Sequence, residues 1–182
     1  PLVGLSFEGS NANTPRGITE AAFRTNSYLG SDVSKYRTGI RNYSRIGLSH
    51  LYPGIDVEFY ASGEEIEHDF NVAPGANAGL ISLRLNGTKS ARLNAQGDIV
   101  MPAEAGELRF KKPVAYQIDA AGKQVEIAAA FVLDGRRSDS QRLRFRLGAY
   151  DHSRRLVIDP VIVYATFAGG GAGSSSPSRR RR

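Results

Sequence analysis

Short runs in which apolar and polar residues alternate with a period of two dominate the chain. Each is closed by glycine, proline, asparagine or aspartate, the pattern of strands with one buried face. In Leu80 to Leu85, Ile81, Leu83 and Leu85 share a face while Ser82 and Arg84 take the other. Arg142 to Leu147 alternates strictly, with Arg142, Arg144 and Arg146 on one side and Leu143, Phe145 and Leu147 on the other, as in a sheet with one wet side. Ser90–Asn94 and Asp98–Met101 flank Ala95-Gln96-Gly97, a three-residue hairpin loop with glycine available for positive φ. Leu108–Asp119 and Lys123–Leu133 flank Ala120-Ala121-Gly122 and predict a second hairpin. Leu156–Ile158 and Val161–Phe167 are apolar enough for burial on both faces.

Helical signal is thin. Thr19–Arg24 predicts one or two helical turns, and Ser31–Lys35 a capped turn. About a dozen short strands with frequent turns predict an all-β, antiparallel, sandwich-like fold with little helix. The domain is expected over residues 1–168, with a sub-boundary or a long turn between sheets at 73–79. Residues 169–182, rich in Gly and Ser and ending in arginines, read as a flexible tail.

Composition narrows the chemistry. The chain has 182 residues and no cysteine, which excludes a disulfide scaffold, a thiol nucleophile and cysteine-ligated metal. The net charge of +6 arises from 24 basic against 18 acidic residues. Four of the arginines are Arg179–Arg182, and the body without them holds 20 bases against 18 acids. Nucleic-acid binding is not expected of so neutral a body. The most apolar stretch, Val161–Ala168, is far shorter than the roughly 20 residues of a spanning helix, and Pro1–Phe7 is no signal peptide but reads as a strand entered part-way.

Candidate chemistry is sparse. Glu64–Phe70 is the densest acidic segment; as a strand it sets Glu65, Glu67 and Asp69 on one face and Ile66, His68 and Phe70 on the other. Such a carboxylate row serves a hard cation or acid–base work, or is simply a solvated face over a core Phe70. Asp56 and Glu58 also share a face, next to Tyr60. Paired carboxylates beside aromatics suit sugar binding or processing, and these three are the candidate binding residues. His50, His68 and His152 are scattered singly. No nucleophile elbow, phosphate loop or dinucleotide fingerprint occurs, so no catalytic residue, metal ligand or cofactor is assigned. The Arg142 stripe reads as a solvated face or a polyanion grip.

Several pieces in fixed order resemble an uncharacterised bacterial domain that precedes the SBBP (β-propeller) repeats of large secreted or surface proteins. They are Asn26–Asp32 and Ser34–Thr38, then Tyr52-Pro53-Gly54-Ile55-Asp56-Val57 with Phe59-Tyr60, and Asp69–Ala76. Leu93–Asp98, Lys112–Gln117, Gly148–Asp151 and Leu156–Pro160 follow. Within them Tyr52, Pro53, Gly54, Asp56, Asp69, Phe70, Pro74, Gly75, Tyr150, Asp159 and Pro160 form a structural signature. Pro53-Gly54 and Pro74-Gly75 suit tight turns. Asp159, held extended before Pro160, is placed to accept hydrogen bonds from backbone amides. His68 stands where the family carries an aromatic residue. The resemblance implies a domain that begins upstream of Pro1, a propeller array as neighbour, a secreted or cell-surface location, and a non-enzymatic structural, ligand-presenting or adhesive role with a glycan or protein as possible ligand. The alternative is a carbohydrate-binding or carbohydrate-processing domain.

Overall fold

The computed structural model describes residues 4–11, 13–62, 65–87, 90–103, 106–135 and 140–166. In chain order the strands are β1 (Gly4–Phe7), β2 (Arg16–Ser27), β3 (Arg37–Tyr52), β4 (Ile55–Ser62) and β5 (Glu65–Val72). Next come β6 (Ser82–Asn86), β7 (Arg92–Leu93), β8 (Ile99–Ala103), β9 (Gly106–Phe110) and β10 (Val114–Ile118). The last are β11 (Gln124–Ile127), β12 (Ala129–Asp134), β13 (Ser140–Leu147), β14 (Leu156–Asp159) and β15 (Val161–Thr166). The fold is all-β and antiparallel, as the alternation predicts. A small sheet runs β1-β6-β13-β12, and the other eleven strands form a large one.

The large sheet forks at β5. One edge of β5 carries β4 along its whole length, and β3 and β2 continue outward from β4. Its other edge is shared: Phe70–Val72 pair with β14, whereas Ile66 and Glu67 pair with β15. Pro160 stands between those two strands. Having no N–H, it breaks the ladder at that point, so that β14 leads on to β10 and β15 to β9.

Alternation along β5 explains why the sheets stack. His68 and Phe70 point inward and are fully buried, while Glu67 and Asp69 lie half-buried on the outer face. Phe70 meets Phe7 of β1 edge-on at 6.0 Å and Phe145 of β13 at 5.7 Å. Phe145 continues to Phe131 and that ring to Phe110, at 5.6 and 6.5 Å. The rings thus cross from one sheet to the other, and each such pair adds about 0.5–1.5 kcal/mol beyond the area it buries. Tyr52, a signature residue, is buried at the end of β3; its hydroxyl sits 3.0 Å from the Ser82 carbonyl and 3.2 Å from that of Glu8. It ties the large sheet to both β1 and β6.

Three sequence expectations need correction. Thr19–Arg24 is not helical but part of β2. A six-residue helix is not stable in water on its own, whereas the ladder with β3 satisfies the same backbone. Leu108–Asp119 and Lys123–Leu133 are each two strands. Lys111–Pro113 separates β9 from β10, and Ala128 separates β11 in the large sheet from β12 in the small one. One apolar run has to change sheets there, and the Ala128 carbonyl accepts from Gly148 N at 2.7 Å. The strands are also less uniformly short than expected, since β3 spans 16 residues.

Other local readings hold. Gly97 and Gly122 have positive φ in their hairpins, as do Gly54 and Gly75 after their prolines. Ser31–Lys35 contains the 3₁₀ turn Val33–Lys35, with the Asp32 side chain accepting from Ser34 N at 3.0 Å. Residues 73–81 carry the chain from β5 to β6, hence from one sheet to the other. The tail, residues 169–182, lies outside the described residues.

His68 is a liability inside this core. Its ring stacks on Phe59 at 5.6 Å and abuts Phe70 at 5.4 Å, and neither nitrogen has a hydrogen-bond partner. Burial pulls its pKa from 6.5 down to about 4. The folded state therefore refuses a proton that the unfolded chain accepts, and stability falls as pH drops from 6.5 toward about 4, by a limiting value of about 3 kcal/mol. His68→Phe is expected to be the more stable protein in urea unfolding at neutral pH, because two orphan nitrogens go. Its advantage should widen steadily through that acid window; a constant gap would refute the neutral buried imidazole.

Candidate functional site

The predicted carboxylates fall into two neighbouring places. On the outer face of β4 and β5, Glu58 stands opposite Asp69 and Tyr60 opposite Glu67. Tyr60 donates to Asp69 Oδ1 at 3.1 Å, and the Arg45 guanidinium lies 4.3 Å above the Tyr60 ring while binding Glu58 at 3.1 Å. That ring face is already occupied and is not an open stacking platform for a sugar. Burial first, then the Asp69 and Asp159 charges, raise the Tyr60 pKa. Asp69 is raised as well, mainly by burial.

Asp159 differs from expectation. Its Oδ1 is buried without a partner and receives no backbone amide. Burial, reinforced by the negative charges of Asp69 and Glu67, lifts its pKa to about 6. Three carboxylates thus share the β5–β14 surface. Among the described residues no group of three His, Asp or Glu side chains is placed to hold a metal ion.

Asp56 belongs elsewhere. Leu48 pairs with Val57 and Tyr52 with Ile55, so Ser49, His50 and Leu51 stand against Asp56 alone. The surplus is absorbed by His50, the only described non-glycine residue with positive φ, at 55°. Such a conformation costs about 1–3 kcal/mol and persists only where its surroundings impose it. Here Asp56 Oδ1 accepts from His50 N at 2.6 Å, and Asn11 Nδ2 donates to the His50 carbonyl at 2.8 Å. Asp56 is the clamp that holds the bulge.

The bulge turns His50 into solvent at the meeting point of two clefts. One, of about 350 Å³, is bounded by His50, Asp56, Asn71, Pro74 and Arg155. The other, of about 560 Å³, is bounded by His50, Asn13, Thr14, Arg16 and Ser49. Two guanidinium groups, an imidazole, two amides and two hydroxyls converge there. The single carboxylate, Asp56, is engaged by the backbone it clamps.

The remaining candidates are structural. Arg142 and Arg84 both grip Glu8, whose pKa the two guanidiniums hold down at about 2, and Arg144 grips Asp134. The Arg142 stripe is therefore largely neutralised. His152 packs its ring on Tyr150 at 4.2 Å, and its carbonyl accepts from Gly75 N at 2.8 Å. The side chains of Glu65 and Tyr164 are outside the described set, and Glu64 is outside altogether. Sequence reasoning assigned His50 and Arg155 to no site; the only trace of His50's role was a polar residue inside an otherwise strand-like run.

Residues 2–161 match the model of a family described as a domain of unknown function, DUF7948. No curated protein and no solved structure matches the chain significantly. No helix of the described residues is long and apolar enough to cross a membrane.

Because its folded pKa is raised, Asp159 favours the native state when protonated and opposes it as pH rises from 3.8 to about 6. Asp159→Asn is expected to melt about 2–4 °C above the parent near neutral pH. That advantage should shrink toward zero in mild acid, near the ordinary aspartate pKa. A thermal shift of equal size at both pH values would refute the assignment.

Proposed function

The chain belongs to the DUF7948 family, a domain of unknown function, and we propose, from the resemblance of its signature segments to the domain that precedes SBBP repeats, that it is a non-enzymatic, ligand-presenting module of a bacterial secreted or cell-surface protein, standing beside a β-propeller repeat array. Its presenting site is the double cleft around His50. The observation that carries this reading is the strained backbone of His50, held by Asp56 and Asn11 where a glycine would sit without cost. Strain maintained by two dedicated hydrogen bonds, at the junction of two clefts, points to a side chain kept for use.

The chemistry of the walls selects the ligand. Arg16 and Arg155 offer planar donors for a carboxylate, and Asn13, Asn71, Thr14 and Ser49 match hydroxyls. A polysaccharide of acidic sugars has both groups at a repeating spacing. This favours the carbohydrate-binding alternative over a carbohydrate-processing one, since Glu58 and Tyr60 are tied to Arg45 and Asp69.

The test uses sodium polygalacturonate, with neutral dextran as control, in affinity electrophoresis. The parent is expected to be retarded by the first and not by the second. Arg155→Ala should weaken retardation about tenfold, the loss of one charge-assisted contact, with an unchanged melting temperature. His50→Gly should lose binding yet melt higher, by about 1–3 kcal/mol of relieved strain. No retardation by the acidic polymer, or a His50→Gly protein that is less stable, overturns the reading.

A further inference from the structure

β2 has a partner on one side only. Among the described residues it pairs with β3 and with no other strand. The other described strands that pair with a single neighbour, β1, β7, β11 and β12, have between two and six residues, whereas β2 has 12. β3 itself meets β4 only from Arg45 onward. Beyond that point β2 and β3 form a two-stranded arm, a form only marginally stable in water. Exposed apolar side chains concentrate on this arm: Phe23 is 64% exposed, Tyr28 59%, and Ile40 40%.

The middle of β2 also departs from the β3 register. Glu20 pairs with Tyr43 and Arg24 with Arg41, so Ala21, Ala22 and Phe23 face the single residue Asn42. Asn42 fills the irregularity with its side-chain amide, donating to Thr25 Oγ1 at 2.9 Å and to the Phe23 carbonyl at 3.3 Å. The three residues have no counterparts in the β3 register.

Around Ala22 the sequence is complementary to its own reverse. In an antiparallel pairing of β2 with the β2 of a second copy, centred on Ala22, Thr19 falls opposite Thr25, Glu20 opposite Arg24, and Ala21 opposite Phe23. The two-fold axis repeats each pair. One face then holds two Glu–Arg pairs around a pair of alanines. The other holds two Phe23 rings on the diagonal, within reach of each other and each over an alanine. Opposite charges directly across a strand pair stabilise it and like charges oppose it. A long open edge is the ordinary template for such addition, and an isologous two-fold contact closes on itself instead of growing into a fibre.

We propose that the chain self-associates into a two-fold dimer by joining its β2 edges in this register, so that the large sheets of two copies become continuous. The proposal is independent of the His50 cleft. Glu20 and Arg24, which bind each other within one chain at 2.9 Å, exchange partners across the dimer axis.

Sedimentation equilibrium of the full chain, from low to high micromolar, tests it. The parent is expected to dimerise. Glu20→Arg and Arg24→Glu, each alone, place like charges opposite one another twice and should weaken association at least about tenfold. In an equal mixture, a copy with arginine at both positions meets a copy with glutamate at both. Opposite charges then face each other at each crossing, and a heterodimer should form. Neither variant regains its internal ion pair on mixing, so recovery reports the contact between chains. Circular dichroism confirms that each variant is folded; if one is not, Ala22→Pro, which blocks the edge, takes its place as the disrupting change. A parent that stays monomeric throughout, or a dimer that persists in the variants or is not restored by mixing, overturns the proposal.

Discussion

Burial of Phe70 between Phe7 and Phe145 is the contact on which the architecture depends. It is made by β5, the strand from which the large sheet forks, and it brings both edges of that fork against the small sheet. Once Phe70 points inward, the period of two leaves no choice for its neighbours. His68 goes into the core, and Glu67 and Asp69 go to the outer surface beside Asp159.

Both consequences carry an electrostatic cost, and the costs have opposite sign in pH. The buried imidazole at 68 penalises the fold as pH falls below 6.5, while the crowded carboxyl at 159 penalises it as pH rises toward about 6. The two groups are governed by one strand: turning β5 over would expose His68 but bury Glu67 and Asp69. The native arrangement keeps the imidazole neutral and leaves Glu67 and Asp69 half-exposed, with the Arg45 charge acting on Asp69.

Much of this was legible in sequence because alternation is a local property. The inward set of β5, the two glycine hairpins and the proline–glycine turns follow from residues adjacent in the chain. Glu8 could not be read the same way, since its partners Arg84 and Arg142 are 76 and 134 positions away. The helical expectation for Thr19–Arg24 failed because Glu20-Ala21-Ala22 suits a helix in isolation, and only the ladder with β3 decides otherwise. Asp56 and Glu58 do share one strand face, yet the bulge at 49–51 separates their surroundings. A bulge leaves no compositional mark when its left-handed residue is a histidine instead of a glycine.

The two sites of greatest interest are both places where a strand pairing fails to count evenly. Opposite Asp56 the extra residues are on β3, and the clamp drives His50 out into the clefts. Opposite Asn42 the extra residues are on β2, and the side-chain amide that fills the gap binds the Phe23 carbonyl and leaves Ala21–Phe23 out of register with β3. A regular ladder would have consumed these backbone groups internally and laid their side chains flat. Each irregularity instead costs the fold pairing energy and exposes a short segment outward. In both cases the structure supplies specific side-chain hydrogen bonds that maintain the irregularity, which an accidental defect would not require. The same physical device, a surplus of residues on one strand held by a polar side chain from the other, thus shapes the clefts at one end of β3, where we propose a ligand, and lies alongside the β2 edge at its other, where we propose a second copy.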